Sequence, residues 1–452
     1  MQERIVDVAV IGAGTAGVRA FNTLKAAGRK VVLIDRGPLG TSCARVGCMP
    51  SKAVLHAGMR WSTARGLPAG ATLDASGPPA LWAHAIQTRD ALAGGAAERT
   101  RRAAGDDLIM AEAHFLAPGV LQAGATRVQA RAVVVATGSQ PAVPKALMSL
   151  APYLLTTDSL FEQQQLPARL GVLGLGAIGL ELGLGLSRLD VQVVGADQAA
   201  RIGGIQDPEI LARALARFGQ EMPLWLGQPV TLEEQGAAVL MRAGEHRATV
   251  DRVLVATGRV PNTAGLDLAA AGVALDAQGR PVIDPATLRA GDAPIYFAGD
   301  VQPDRPLMHE AADEGLLAAR AALAWLDGQA QPASRRSVPL SILFTDPDVC
   351  QVGMGYDEAM AAGARVAGAQ GSGNGRSKVL GAPDNLLHLY VAPGSGRLLG
   401  AAMMTSHGEH LAHQLAWAIQ AGQTVEDLLA MPYYHPSIEE MLQSALQAAR
   451  AA

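Results

Sequence analysis

"VDVAVIGAGTAGVRAFNTLKAAGRKVVLID", residues 6–35, decides how the rest of the chain is read. A β-branched run leads into Gly12, Gly14 and Gly17, a helical stretch follows, and a second apolar run ends in Asp35. That order is a complete βαβ unit. Its glycines permit a tight turn, close approach of backbone N–H groups to a pyrophosphate, and close helix–strand packing, while the helix N-terminus favours the negative charge. Asp35, closing the second strand, is placed to accept from ribose hydroxyls.

The device recurs. "ARLGVLGLGAIGLELGLGLSRLDVQVVGAD", residues 168–197, sets Gly174, Gly176 and Gly179 before a helix and a strand ending at Asp197. Asp197 follows Gly179 by 18 residues, as Asp35 follows Gly17. One GxGxxG is a weak signal, because a Gly-rich turn without function has the same spelling. Two copies with the same downstream acid are far harder to reach by chance. Each is followed by a Val-rich strand ending in a Thr-Gly turn: "RAVVVATGSQP" at 131–141, with Thr137 and Gly138, and "DRVLVATGRVPN" at 251–262, with Gly258. Two nucleotide-binding domains follow, the first interrupted by a long insertion after residue 36. Two dinucleotides imply electron transfer between them.

At 452 residues the chain exceeds a single hydrophobic core. A net charge of −4, with no basic stripe, argues against a nucleic-acid surface. The start, "MQERIVDVAVIGAG", lacks the pattern of a signal peptide, and the apolar stretch 170–186 is Gly-rich, carries Glu181 and reads as strand, turn and helix rather than a membrane span. The expectation is a cytoplasmic protein without membrane or nucleic-acid partners.

Two of the three cysteines, Cys43 and Cys48, lie in "GTSCARVGCMPSK" at 40–52. In a reducing compartment such a pair is catalytic or metal-binding rather than structural. Zinc wants four ligands, and the chain has no second cysteine pair. In a regular helix residues five apart differ by roughly 140° and lie too far apart to be bridged, so a pair in contact needs a distorted helix. Gly47 would be the place for such a distortion, and Pro50 suits a helix's first turn. A helix N-terminus and a nearby cation would lower a thiol's pKa. The third cysteine, Cys350 in "FTDPDVCQVG", reads as a small buried hydrophobe.

The order of parts, from dinucleotide unit and Cys-x4-Cys through paired Ala-Thr-Gly turns and a second unit to "IYFAGDV" at 295–301 and "HPSIEE" at 435–440, resembles the flavin-dependent pyridine nucleotide-disulfide oxidoreductases over essentially the whole chain. "CARVGCMPSK" and "MPYYHPSIEE" are most similar to that family's dihydrolipoamide dehydrogenase branch. The resemblance implies FAD and NAD as cofactors and a redox disulfide between Cys43 and Cys48. Cys48 would face the flavin and Cys43 would exchange with the substrate thiol. Lys52 and Glu181 match positions that pair beside flavin and nicotinamide, and Gly299 and Asp300 match those that meet the ribityl chain and pyrophosphate. His435 would be the base and Glu440 its orienting carboxylate, supplied by the partner chain of a homodimer. The implied reaction oxidises a dihydrolipoyl dithiol borne by a carrier protein or by a 2-oxoacid dehydrogenase or glycine cleavage complex. The alternative is NAD(P)H-dependent reduction of another disulfide or a metal, although mercury-reducing relatives place tyrosine where His435 stands.

The fold class expected is α/β: two Rossmann-like dinucleotide-binding domains plus a C-terminal α+β dimerisation domain. The boundaries are 1–146 for the first part of the FAD domain, 147–265 for the NAD domain, 266–336 for a return to the flavin, and 337–452 for dimerisation, with "DGQAQPASRRS" at 327–337 as linker. Asp197 favours NAD over NADP, with Arg201 close by. Arg45 stands where most relatives have asparagine and adds a fixed positive charge between the cysteines. "HGEHLAHQ" sets His407, His410 and His413 along a helical stretch, read as a polar face rather than a metal site, and His309 opens another helix.

Overall fold

The strand Gln2–Ile11, the helix Thr15–Ala26 and the strand Val31–Asp35 form the first βαβ unit, the two strands parallel with Val8 opposite Val31. This computed structural model describes residues 2–67, 74, 76–331 and 336–451, so part of the expected linker, 332–335, lies outside the described residues. Gly12 has φ +104°, and a Cβ there would fall 2.2 Å from the carbonyl oxygen of Ala136. A Cβ on Gly17 would fall 1.8 Å from the Gly12 oxygen. Sequence thus dictates geometry: only glycine lets the helix start directly beneath the turn.

Seven strands make the first sheet, in the order Leu108–Met110, Val31–Asp35, Gln2–Ile11, Thr126–Val135, Val120–Ala123, Ala113–Ala117, with Ile295–Phe297 also pairing with Thr126–Val135. Ile295–Phe297 lies parallel to Thr126–Val135, so the late "IYF" segment is a strand of the first sheet. Val8, Val10, Phe21, Leu24, Val134 and Tyr296 form its core beneath the helices Thr15–Ala26 and Met308–Leu326. These elements belong to one compact unit, residues 1–50, 84–142 and 258–335.

The second unit, residues 51–83, 143–257 and 336–452, repeats the plan. Its parallel sheet runs Leu224–Leu226, Gln192–Asp197, Arg169–Leu173, Arg252–Val255, Leu154–Leu155, and the helix Ala177–Arg188 follows the second glycine turn. Gly174 and Gly179 repeat the packing of Gly12 and Gly17, with prospective Cβ atoms 2.5 Å from the Ala256 oxygen and 1.9 Å from the Gly174 oxygen. A five-stranded antiparallel sheet, Leu340–Leu343, Asp348–Gly353, Leu398–Thr405, Leu386–Val391, Arg365–Gln370, is packed by the helices Gly408–Gln420 and Glu439–Ala451. The fold is therefore the α/β class with two dinucleotide folds and a C-terminal α+β domain. Among the described residues no helix is long and apolar enough to cross a membrane.

One buried polar network in this unit has no sequence signature. Asp207 caps the helix Pro208–Phe218 by accepting from the amides of Glu209 and Ile210, while its other oxygen takes His388 Nδ1 and the Tyr390 hydroxyl, both at 2.8 Å. Burial alone would raise the Asp207 pKa, but His388's hydrogen bond and charge, the Ile210 amide and Tyr390 hold it below its ordinary value. Burial would lower His388, yet Asp207 and Glu209 raise it. Asp207's contribution to stability is full above about pH 4 and lost as pH falls through its depressed value. His388's is full below about pH 6.5 and lost as pH rises through its elevated one. A melting-temperature series from pH 6 to 9 is expected to decline on the alkaline side in the wild type and to lose most of that slope in His388→Gln.

Candidate active site

The Cys-x4-Cys stretch is two helices rather than one. Thr41 caps a five-residue helix, Ser42–Val46, its Oγ1 accepting from Ala44 N at 3.2 Å. Gly47 ends it with φ −125° and ψ −116°, and the chain restarts as the helix Cys48–Arg65. A Cβ on Gly47 would lie 3.1 Å from the Ser42 oxygen and 3.2 Å from Cys43 Cα, so the break folds the chain back against Cys43. This is the distortion expected at Gly47, and Pro50 falls in the new helix's first turn. Cys43 and Cys48 are both half-buried. Cys48 opens an 18-residue helix, whose N-terminal dipole favours an anionic sulfur.

Lys52 follows in the same helix, and its ammonium reaches Glu181 Oε1 at 2.9 Å and Oε2 at 2.7 Å. Glu181 lies on the helix Ala177–Arg188 and also accepts from the Phe344 amide at 2.9 Å. The Phe344 ring lies 4.8 Å from the ammonium. The expected pair is present; the part played by Phe344 had no signal in sequence. Removing one partner strands a buried charge, so Lys52→Met is expected to cost about 2 kcal/mol, less than a fully buried pair because the Lys52 side chain is one-third exposed. Denaturant midpoints check this, with Lys52→Met/Glu181→Met expected to recover stability.

The glycines not used for packing leave room. A Cβ on Gly14 or Gly176, each just before its helix, meets nothing within 4 Å, and the same holds at Gly138 and Gly258. Two helix N-termini with open space over backbone N–H groups fit the pyrophosphates of two dinucleotides. Asp35 and Asp197 differ from the simple ribose role. Asp35 accepts from Ala13 N and Gly37 N, both at 2.6 Å, and Asp197 from Leu175 N at 2.7 Å and Ala199 N at 2.8 Å. Each carboxylate braces its own glycine turn and keeps lone pairs for a ribose. Repetition down to these bonds supports a duplicated unit.

In the first unit Thr137 Oγ1 donates to the Asn262 carbonyl and Asn262 Nδ2 returns a bond to Thr137 O. Gly299 has φ +81° and donates its amide to Glu314 at 2.7 Å. Glu314, buried on the helix Met308–Leu326, was missed; its spacing of four from buried Glu310 is the available clue. Asp300 follows Gly299 and accepts from the Ser139 hydroxyl at 3.2 Å.

His435 Nδ1 lies 2.9 Å from Glu440 Oε1, and Glu440 Oε2 accepts from Ser437 N at 3.0 Å. The expected pair is thus in contact, with the His435 side chain 78% exposed. The His435 hydrogen bond, then the Ser437 amide, holds the Glu440 carboxyl below its ordinary range.

Other candidates fall away. Cys350 is buried in the strand Asp348–Gly353, and burial, then the charges of Asp348 and Glu409, push its thiol up. The helix containing His410 and His413 begins at Gly408, leaving His407 outside it with φ +55°, so the three do not share a helical face. Among the described residues no group of three or more His, Cys, Asp or Glu side chains is placed to hold a metal ion. His309 and Arg201 are exposed, and the stem of Arg45 runs past Gly40.

The pyridine nucleotide-disulphide oxidoreductase model matches residues 6–315, and the corresponding dimerisation domain matches 339–446. The chain is 30% identical to the dihydrolipoyl dehydrogenase of Thermus scotoductus, covering 98% of this chain and 97% of that one. It is also 30% identical to a mercuric reductase of Staphylococcus aureus, covering 93% of this chain and 78% of that one. Among solved structures, LpdA from Mycobacterium tuberculosis superposes with a TM-score of 0.84 at 22% identity over 100% of this chain and 99% of that one, which shows a shared fold. The flavoprotein disulfide reductase RclA from Escherichia coli superposes with a TM-score of 0.84 at 22% identity, over 98% and 99% respectively. With a C-terminal dimerisation domain supporting a homodimer and FAD and NAD(H) as the cofactors its relatives use, this chain belongs to the pyridine nucleotide-disulphide oxidoreductase family.

Proposed function

We propose that the protein is a dihydrolipoyl dehydrogenase, oxidising a protein-borne dihydrolipoyl dithiol to its disulfide with NAD as final acceptor. The observation that carries this reading is the His435–Glu440 pair, an exposed imidazole with one ring nitrogen fixed at 2.9 Å by a carboxylate. An incoming dithiol must lose protons before its sulfur attacks a disulfide, and an oriented imidazole meets that need.

In this reading one substrate thiolate attacks Cys43 of an oxidised Cys43–Cys48 pair, breaking the S–S bond and releasing Cys48 as thiolate. The second substrate thiol, deprotonated by His435 from the partner subunit, displaces Cys43. The substrate loses two electrons and the cysteine pair gains them. The helix N-terminus at Cys48 steadies the anionic sulfur. FAD, when bound, supplies two-electron transfer between a thiolate and nicotinamide. Gly12, Gly14, Gly17, Asp35, Thr137, Gly138, Gly299 and Asp300 would hold it, and Gly174, Gly176, Gly179, Asp197 and Gly258 would serve the nicotinamide dinucleotide. Lys52 and Glu181 form a charge pair that in this reading serves the redox cofactors. The carrier belongs to a 2-oxoacid dehydrogenase or glycine cleavage complex, in the cytoplasm.

The test is anaerobic titration of the flavoprotein with dihydrolipoamide, followed by NAD. A long-wavelength absorbance band that disappears as NADH forms is the expected result. The mercuric reductase match at equal identity keeps a second reading, NAD(P)H-dependent reduction of another disulfide or a metal. A flavin that stays oxidised with dihydrolipoamide but reacts with NADH or NADPH would overturn the first reading in favour of the second.

A further inference from the structure

The segments that follow the two Thr-Gly turns pair with each other. Residues 139–141 and 259–261 form a two-stranded antiparallel ribbon with Ser139 opposite Pro261 and Arg259 opposite Pro141. The residue after Thr-Gly is where the two copies diverge, Ser139 in one and Arg259 in the other, and across the ribbon these two side chains meet. Arg259 Nε donates to Ser139 Oγ at 2.7 Å and Nη2 to the Ser139 carbonyl at 2.7 Å. The Ser139 hydroxyl donates onward to Asp300 Oδ2 at 3.2 Å, and Arg259 Nε lies 4.0 Å from that oxygen. Ser139 is buried, and the Arg259 and Asp300 side chains are 21% and 29% exposed.

We propose that Arg259 is a positioning residue for the flavin: it holds Ser139, and Ser139 fixes the Asp300 carboxylate in the orientation that receives the flavin's ribityl hydroxyls. This rests on the assignment of Asp300 to the flavin. Asp300 follows Gly299, whose left-handed backbone sets where the loop leaves the sheet but not which way the carboxylate turns. A donor on one oxygen and a cation behind it select one rotamer. The guanidinium fork spans Ser139 Oγ and O together, which a lysine ammonium on its flexible stem does not reproduce.

The experiment measures FAD dissociation and the flavin midpoint potential of the holoprotein in Arg259→Met, Arg259→Lys, Ser139→Ala, Asp300→Ala and Arg259→Met/Asp300→Ala. Arg259→Met and Ser139→Ala are each expected to weaken FAD binding about tenfold, as for a lost charge-assisted hydrogen bond. Arg259→Met is expected to add less than about twofold once Asp300 is alanine, because coupled residues are not additive. Losing the cation also disfavours the more negative reduced flavin, lowering the two-electron reduction constant about tenfold, or 30 mV. Arg259→Lys should restore the potential but not FAD retention. Equal losses from Arg259→Met with and without Asp300, or no loss from Arg259→Met and Ser139→Ala while Asp300→Ala loses FAD, would overturn the positioning role alone. No loss from Asp300→Ala would overturn the flavin assignment itself, and the proposal with it. Should Arg259→Met fail to fold, Ser139→Ala against Asp300→Ala gives the same comparison.

Discussion

Cys48→Ser is expected to lower dithiol oxidation by about three orders of magnitude or more while leaving FAD bound, the scale seen when a covalent nucleophile is removed. Serine cannot form the disulfide that stores two electrons, and its hydroxyl is no thiolate at neutral pH. The fold should tolerate it, because serine is close to cysteine in size and suits the first position of a helix such as Cys48–Arg65. Flavin content by absorbance and steady-state dihydrolipoamide oxidation check the two halves. Cys43→Ser separates the roles: turnover should also be lost, but the long-wavelength band should persist, because Cys48 still faces the flavin in the proposed arrangement. A Cys48→Ser enzyme retaining more than about a tenth of the rate would remove the redox pair from the mechanism.

The second large effect contrasts two glycines of one turn. Gly17→Ala places a methyl 1.8 Å from the Gly12 carbonyl, and the nearby atoms are backbone, which cannot step aside. The helix Thr15–Ala26 would have to lift off its strand, at a cost of about 3 kcal/mol or more, so little folded holoprotein is expected. Gly14→Ala meets nothing within 4 Å in the protein, and its φ of −73° suits any residue. Its apoprotein should melt within about 0.5 kcal/mol of wild type. Its methyl would fill the space over the helix N-terminus, so FAD affinity should fall about a hundredfold. Thermal melts with and without added FAD give both readings. A Gly14→Ala protein binding FAD normally would show that the pyrophosphate lies elsewhere.

Local chemistry made several parts of this protein legible in advance. The glycine turns are written in sequence because each demand, a positive φ at Gly12 and a missing Cβ at Gly17, is met within about thirty residues by a residue type with no substitute. The break at Gly47 followed from the fixed angle per residue of a helix once the family resemblance brought Cys43 and Cys48 together, and the His435–Glu440 contact was legible only through that resemblance. Composition and period likewise announced two copies of one βαβ unit.

Contacts between distant segments were another matter. Glu181 and Phe344 are 163 residues apart, Asp207 and His388 181, and Ser139 and Asp300 161. No local preference records such partners, because each side chain's choice depends on which strands and helices the whole chain has stacked together. Even Asp35 and Asp197, correctly marked as strand-end acids, acquire their second task of bracing the turn only when strand and turn are packed. The sequence alone therefore settled the residue types and the βαβ plan, since these obey backbone sterics and charge over short spans. Tertiary structure alone settled which carboxylate meets which donor, since hydrogen bonds reach about 3 Å and only packing brings such groups that close.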